Sequence, residues 1–277
     1  MPADVDARVI ENRRLSSDYN VLEFHAPSIA AAAAPGQFVM IRTAGAGGAP
    51  LLRRPFSIFQ VLRDGSGAPA GISILNKKIG TGTSQIYEAR VDAVLPVLGP
   101  LGRPFVPPAS GEAWMVAGGV GLGPFVTLAE ALRDAGTPAT LFYGARTAAD
   151  LHCADLFPPL GAELVAATED GTRGDRERIT APLERALRQA QGEREPGAGV
   201  TLYACGPTPM MRAVADLATR FDCRCVVSLE QVMGCGMGGC YSCVVKVRQP
   251  DRPRYVRSCI DGPVFDATSV IWEELTH

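Results

Sequence analysis

The stretch VAGGVGLGPFVTLAEAL, residues 116–132, joins an apolar run to a glycine-rich turn and then to a segment with apolar residues at helical spacing. Gly118, Gly119, Gly121 and Gly123 suit close approach of backbone to a dinucleotide, in a strand–turn–helix context. Taken alone this is weak evidence, because helix–strand packing also selects small residues. The pattern departs from a strict dinucleotide fingerprint, and no acidic residue stands about twenty positions on. Arg146 in YGAR stands there instead; it can meet a 2′-phosphate, stack on adenine or pair with a surface acid. The meaning of the turn therefore rests on its surroundings.

Downstream, strands and helices alternate. AWMVAGGV, PATLFYGAR, AELVAATED and GVTLYACGP read as strands. GPFVTLAEALRDAG, a short stretch at Ala149–Phe157, ITAPLERALRQA and TPMMRAVADLATRF read as helices. Such alternation predicts a doubly wound parallel sheet with its ligand crevice at the strand C-termini. Cys205, Gly206 and Pro207 fall at the end of a later strand, just before a helix. Outside that context Cys205 is equally a small buried hydrophobe. Residues 191–199, QGEREPGAG, form a polar loop without readable chemistry.

Upstream, RVIENRRLSS, YNVLEFHAP, GQFVMIRTA, RRPFSIFQVL, AGISILNKK and ARVDAVLPVLGPLG are short strands broken by Gly and Pro. Their spacing predicts a compact antiparallel barrel. Arg54, Pro55, Phe56 and Ser57 stand in series on one strand. The arginine fork suits a pyrophosphate, and the serine hydroxyl a flat heterocycle. Gly80, Gly82 and Thr83 sit where a short helix over SQIYEAR should begin, a place that favours phosphate. Singly, these segments read more readily as an exposed strand and an ordinary turn. The texture changes at Pro104 to Pro108, which divides the chain into 1–105, 106–222 and a C-terminal unit, 223–277. In the last unit CVVKVRQ and RYVRSCI flank PDRP as a small hairpin.

Cys235, Cys240, Cys243 and Cys259 read C-x4-C-x2-C-x15-C. The first three match the plant-type [2Fe–2S] spacing, with a remote fourth thiolate. Zinc is the main rival, although structural zinc sites usually pair their ligands as C-x2-C twice. Cys153, Cys223 and Cys225 lie outside the pattern; the last two alternate as strand packing residues. His25, His152 and His277 are scattered and make no ligand set.

Composition narrows the class. Of 277 residues, 47% are apolar and 20% charged, with net charge −2, so nothing offers a phosphate backbone a basic face and no nucleic acid partner is expected. The acidic N-terminus does not read as a signal peptide, and no apolar run is long enough for a membrane span. A cytoplasmic location with reduced thiols follows, which disfavours a disulfide framework.

Together, RRPFSI, GTGTS and VLGPLG resemble the flavin-binding barrel of the ferredoxin-NADP reductase superfamily. The resemblance implies a fold of flavin-binding barrel, nucleotide-binding α/β domain and small iron–sulfur module. It implies FAD on Arg54, Pro55, Phe56, Ser57, Asn76, Lys77, Lys78, Gly82 and Thr83. It also puts the GGVGLGP turn beside the pyrophosphate of NAD(H), and Cys205-Gly206-Pro207 beside the nicotinamide. With SLEQVMGCGMGGCYSCVVKV and SCIDGPVFDA added in order, nearly the whole chain resembles the electron-transfer subunit of class 1B dihydroorotate dehydrogenase. That family implies FAD, one [2Fe–2S] cluster on Cys235, Cys240, Cys243 and Cys259, and an FMN-containing catalytic subunit in a heterotetramer with two of each. The implied relay runs from dihydroorotate through FMN, the cluster and FAD to NAD+. Ser57 would hydrogen-bond the reactive edge of the flavin and Cys205 would flank the nicotinamide, neither as acid or base, with Glu230 near that junction. Two departures stand out: NKK replaces a more usual aromatic-basic run, and the 191–199 loop is long. The competing readings are a flavin subunit of a sulfide dehydrogenase, bifurcating transhydrogenase or hydrogenase complex, and a zinc-bound regulatory module.

Overall fold

The computed structural model describes residues 1–43, 48–193 and 199–275. The centre of the long loop and His277 fall outside these. The chain divides into two compact units: residues 1–104 with 231–244 and 257–263, and residues 105–230 with 245–256 and 264–277.

In the first unit, seven strands form one antiparallel sheet: β1 (Ala3–Arg14), β2 (Tyr19–His25), β3 (Phe38–Ile41), β4 (Arg54–Ser57), β5 (Gln60–Arg63), β6 (Pro69–Lys77) and β7 (Val94–Leu101). Their order is β4-β3-β7-β1-β2-β6-β5. The two end strands are consecutive in the chain, so the sheet closes on itself. At the junction the amide of Ile58 donates to Gln37 on one side, and that of Phe59 to Ser73 on the other. Closure removes free edges. Inside lie Val9, Leu22, Phe24, Val39, Ile41, Phe56, Ile72, Ile74 and Val97. α1 (Pro27–Ala32), which the sequence reading left out, starts on a proline whose fixed φ suits the first helical position. α2 (Thr81–Tyr87) opens within the GTGT segment, three residues earlier than expected.

In the second unit, β8 (Glu112–Gly118), β9 (Ala139–Ala145), β10 (Ala162–Thr168), β11 (Asp175–Arg176), β12 (Val200–Cys205) and β13 (Arg224–Ser228) run parallel. The order is β11-β10-β9-β8-β12-β13, and β16 (Val264–Asp266) adds an antiparallel edge. α3 (Phe125–Asp134), α4 (Thr180–Glu193) and α5 (Thr208–Arg220) are the crossovers. The short helix expected near 149–157 is a series of single 3-10 turns. β14 (Val244–Val247) and β15 (Arg254–Arg257) form the expected hairpin.

Residues 223–277, read from the sequence as one module, are shared out. β13 and β16 complete the parallel sheet, and Cys225 packs in its core. The two cysteine-bearing segments belong to the barrel unit. The physical reason is the floor beneath the cysteines: Phe38, Met40, Leu98 and Leu101 of β3 and β7 form a buried cluster with Met233, Cys243 and Cys259.

Candidate functional site

The barrel gathers the first set of motifs. Arg53 is held by a bidentate pair with Asp4, at 2.8 and 2.9 Å, whereas Arg54 Nη1 donates to the carbonyls of Leu52 and Arg53, at 3.2 and 3.3 Å. The Arg54 side chain lies along Gly82: a Cβ there would sit 3.0 Å from Cγ and 3.2 Å from Nε. Two segments predicted to meet one ligand thus meet each other. Thr83 Oγ1 accepts from the amides of Ile79 and Gly80 at 2.9 and 3.0 Å, so its hydroxyl shapes the turn. Asn76 is wholly buried, and its Oδ1 has no hydrogen-bond partner among the described residues. The Lys77 and Lys78 ammonium groups rest over the rings of Tyr19 and Tyr87, 5.0 and 4.5 Å from their centroids. Phe56 turns into the barrel core, whereas Pro55 and Ser57 share the opposite face with their β3 partners Met40 and Phe38. An orphaned buried acceptor and a cradle that one methyl would fill fit a bound flavin nucleotide.

Gly82→Ala should therefore displace a flexible arginine rather than break the fold. We expect FAD affinity to fall about tenfold, roughly the loss of one charge-assisted contact. Fluorescence titration alongside a thermal melt checks this, with an unmoved melting temperature.

The same unit holds the cysteines. Cys235 accepts from the amides of Met237 and Gly239, at 3.4 and 3.3 Å, and the Cys243 sulfur accepts from the Cys259 amide at 3.5 Å. Cys240 is exposed; hydrogen bonding with Ser242, and then with Cys235, draws its pKa down to about 6. Burial pushes Cys259 up to about 12, with the Cys243 sulfur adding to the rise. The sulfurs thus stand as an outer pair, Cys235 with Cys240, and an inner pair, Cys243 with Cys259. Two sulfur pairs with amides aimed at sulfur suit a two-iron centre. Gly236, at φ +72°, brings this loop onto the barrel; a Cβ there would fall 2.5 Å from Met40 Cγ.

The second unit gathers the other motifs. β8 is the first strand of its sheet; β9 lies on one side of it and β12 on the other. The chain reverses direction there, which opens a crevice at the C-terminal ends of β8 and β12. Gly118, Gly119, Gly121 and Gly123 end β8 or follow it, and Cys205, Gly206 and Pro207 end β12 or follow it. The two segments touch: a Cβ on Gly118 would lie 2.9 Å from Pro207 Cδ, and one on Gly121 2.2 Å from the Cys205 carbonyl oxygen. Burial pushes the Cys205 thiol up to about 12. The Glu230 charge pushes the same way, and a hydrogen bond with Ser228 opposes them. Cys205 is thus neutral at physiological pH, fit to pack against a ring and unfit as nucleophile or base. Ser228, three strand positions after the noted Cys225, went unread in the sequence.

This barrel, followed by a doubly wound sheet with a nucleotide crevice at its switch point, defines an oxidoreductase of the ferredoxin-reductase type. Comparisons with known proteins agree. The family model "Iron-sulfur cluster binding domain of dihydroorotate dehydrogenase B" matches residues 230–271, and "Oxidoreductase NAD-binding domain" matches 115–216. The dihydroorotate dehydrogenase B (NAD(+)) electron transfer subunit of Desulforamulus reducens is 35% identical over 97% of this chain and 98% of its own. That of Geobacillus thermodenitrificans is 35% identical over 95% and 96%. The chain belongs to this family of electron transfer subunits. Among solved structures, an NADH-dependent reduced ferredoxin-NADP oxidoreductase, studied for flavin-based electron bifurcation, superposes with TM-score 0.81 at 28% identity. It covers 99% of this chain and 93% of its own. A ferredoxin reductase of carbazole 1,9a-dioxygenase, at TM-score 0.62 and 24% identity over 79% and 65%, shares the fold. Among the described residues no helix is long and apolar enough to cross a membrane.

Proposed function

We propose that this chain carries electrons from an FMN-containing catalytic subunit, which oxidises dihydroorotate to orotate, to NAD+. It would work in the cytoplasm, in a heterotetramer with two subunits of each kind. FAD binds the barrel unit, 1–105 in the sequence division; NAD(H) binds the 106–222 sheet; the C-terminal cysteines hold one [2Fe–2S] cluster. When bound, flavin interconverts the two-electron chemistry of nicotinamide and the one-electron chemistry of the iron–sulfur centre.

One observation carries this reading: the strand under the cysteines is the strand paired with the flavin segment. Phe38 and Met40 floor the inner cysteine pair, and they oppose Ser57 and Pro55 across one strand spacing, about 4.8 Å. Ser57 presents its hydroxyl on the cysteine-bearing face. Arg54, Asn76, Lys77, Lys78, Gly82 and Thr83 hold the nucleotide, Phe56 by its backbone only. Cys205 packs beside the nicotinamide as a neutral thiol, while Gly118, Gly119, Gly121, Gly123, Gly206 and Pro207 shape that crevice. The segments bearing the cysteines also expose Val232, Met237, Tyr241 and Ile260, an apolar collar suited to a protein partner.

The experiment is an anaerobic preparation measured by metal analysis, absorption and EPR, then mixed with the catalytic subunit. We expect about two irons per chain and bound flavin, and NAD+ reduction that depends on dihydroorotate. Zinc at the cysteines, or electron delivery only from ferredoxin, would favour a competing reading.

A further inference from the structure

Three asparagines from three strands form one chain of amides. Asn12 Nδ2 on β1 donates to the carbonyls of Tyr87 and Ala89, at 3.0 and 2.7 Å. Asn20 Nδ2 on β2 donates to Asn12 Oδ1 at 2.7 Å, and Asn76 Nδ2 on β6 to Asn20 Oδ1 at 2.8 Å. The second Asn76 Nδ2 proton goes to the Thr83 carbonyl at 3.1 Å. Asn20 and Asn76 are fully buried and face each other across the ladder. A backbone carbonyl accepts only, so the anchors at Tyr87, Ala89 and Thr83 fix every amide in one orientation. Amides aligned head to tail polarise one another, and a break in the middle leaves buried groups unpaired at both ends. The chain also supplies donors to carbonyls at the end of α2, which no helical turn can satisfy.

α2 carries the Gly82–Thr83 segment that lies against Arg54. We infer that Asn12 and Asn20 are positioning residues for the flavin nucleotide. They act through Asn76 and the Thr83 carbonyl to hold Gly82–Thr83 at the height where it and Arg54 grip a pyrophosphate. The inference rests on the flavin reading above and extends it to side chains that touch no ligand. Nothing in the sequence marks them, since positions 12, 20 and 76 meet only through sheet register.

The test is Asn20→Leu, which cuts the chain at its midpoint and reaches the candidate ligand groups only through its bond with Asn76. FAD and riboflavin affinities are measured by fluorescence on deflavinated protein, with the cluster EPR signal and thermal melt as controls. FAD affinity should fall at least about tenfold, while riboflavin, which lacks the pyrophosphate, binds as before. A parallel fall in both affinities, or an unchanged FAD affinity, overturns the inference and leaves the flavin reading standing. A wild-type protein that binds no FAD overturns both. Should Asn20→Leu fail to fold, Asn12→Ala removes the half-buried end of the chain and must give the same selective loss.

Discussion

Cys243→Ser should remove the iron–sulfur absorption and EPR signal and lower dihydroorotate-dependent NAD+ reduction by about a thousandfold or more, while NADH still bleaches the flavin. Cys243 is 2% exposed, on the apolar floor of Phe38, Met40, Leu98, Leu101 and Met233, and it is paired with Cys259. A serine there supplies a hard, weakly acidic oxygen in place of a soft thiolate, and it leaves Cys259 without its partner. The substitution barely changes volume, so the barrel should melt near the wild-type temperature. Iron content separates the outcomes: a full complement of two irons with an unaltered spectrum would remove Cys243 from the ligand set. The inner pair would then need another account.

The cysteine spacing was legible because metal ligation by one loop is a local property, written in consecutive residues. The barrel was legible for a similar reason, since its short strands are spaced evenly and broken by Gly and Pro. What remained hidden is long-range. FVMI in β3 is buried on both faces, which an antiparallel strand of a solvated barrel does not require. Phe38 and Met40 therefore announce a second layer, yet nothing local says that residues 231–244 provide it. For the same reason residues 223–277 looked like one module. The asparagine chain is the extreme case: Asn is a poor strand former, and positions 12, 20 and 76 look like weak points until register brings them together. The side-chain direction of Phe56 was equally unreadable, because RRPFSIF has no polar–apolar alternation to fix its phase.

Gly121→Ala should raise the KM for NADH about 10- to 100-fold, equivalent to about 1–3 kcal/mol of overpacking, while flavin and iron–sulfur spectra stay intact. The added Cβ would fall 2.2 Å from the Cys205 carbonyl oxygen, 2.5 Å from its carbon and 2.7 Å from Gly206 Cα. Every one of these atoms is backbone, so no side chain can rotate away. The strand end carrying Cys205 and the turn after β8 must move apart, and the crevice is bounded by those two segments. Gly161→Ala is the matching control. Gly161 has φ +77° with open space around its Cβ position, so it adds backbone strain without displacing the crevice. Steady-state NADH oxidation with an artificial acceptor reads the difference. If Gly121→Ala lowered the melting temperature but left KM where it was, the turn would be packing alone, and the nucleotide would have to bind elsewhere on the sheet.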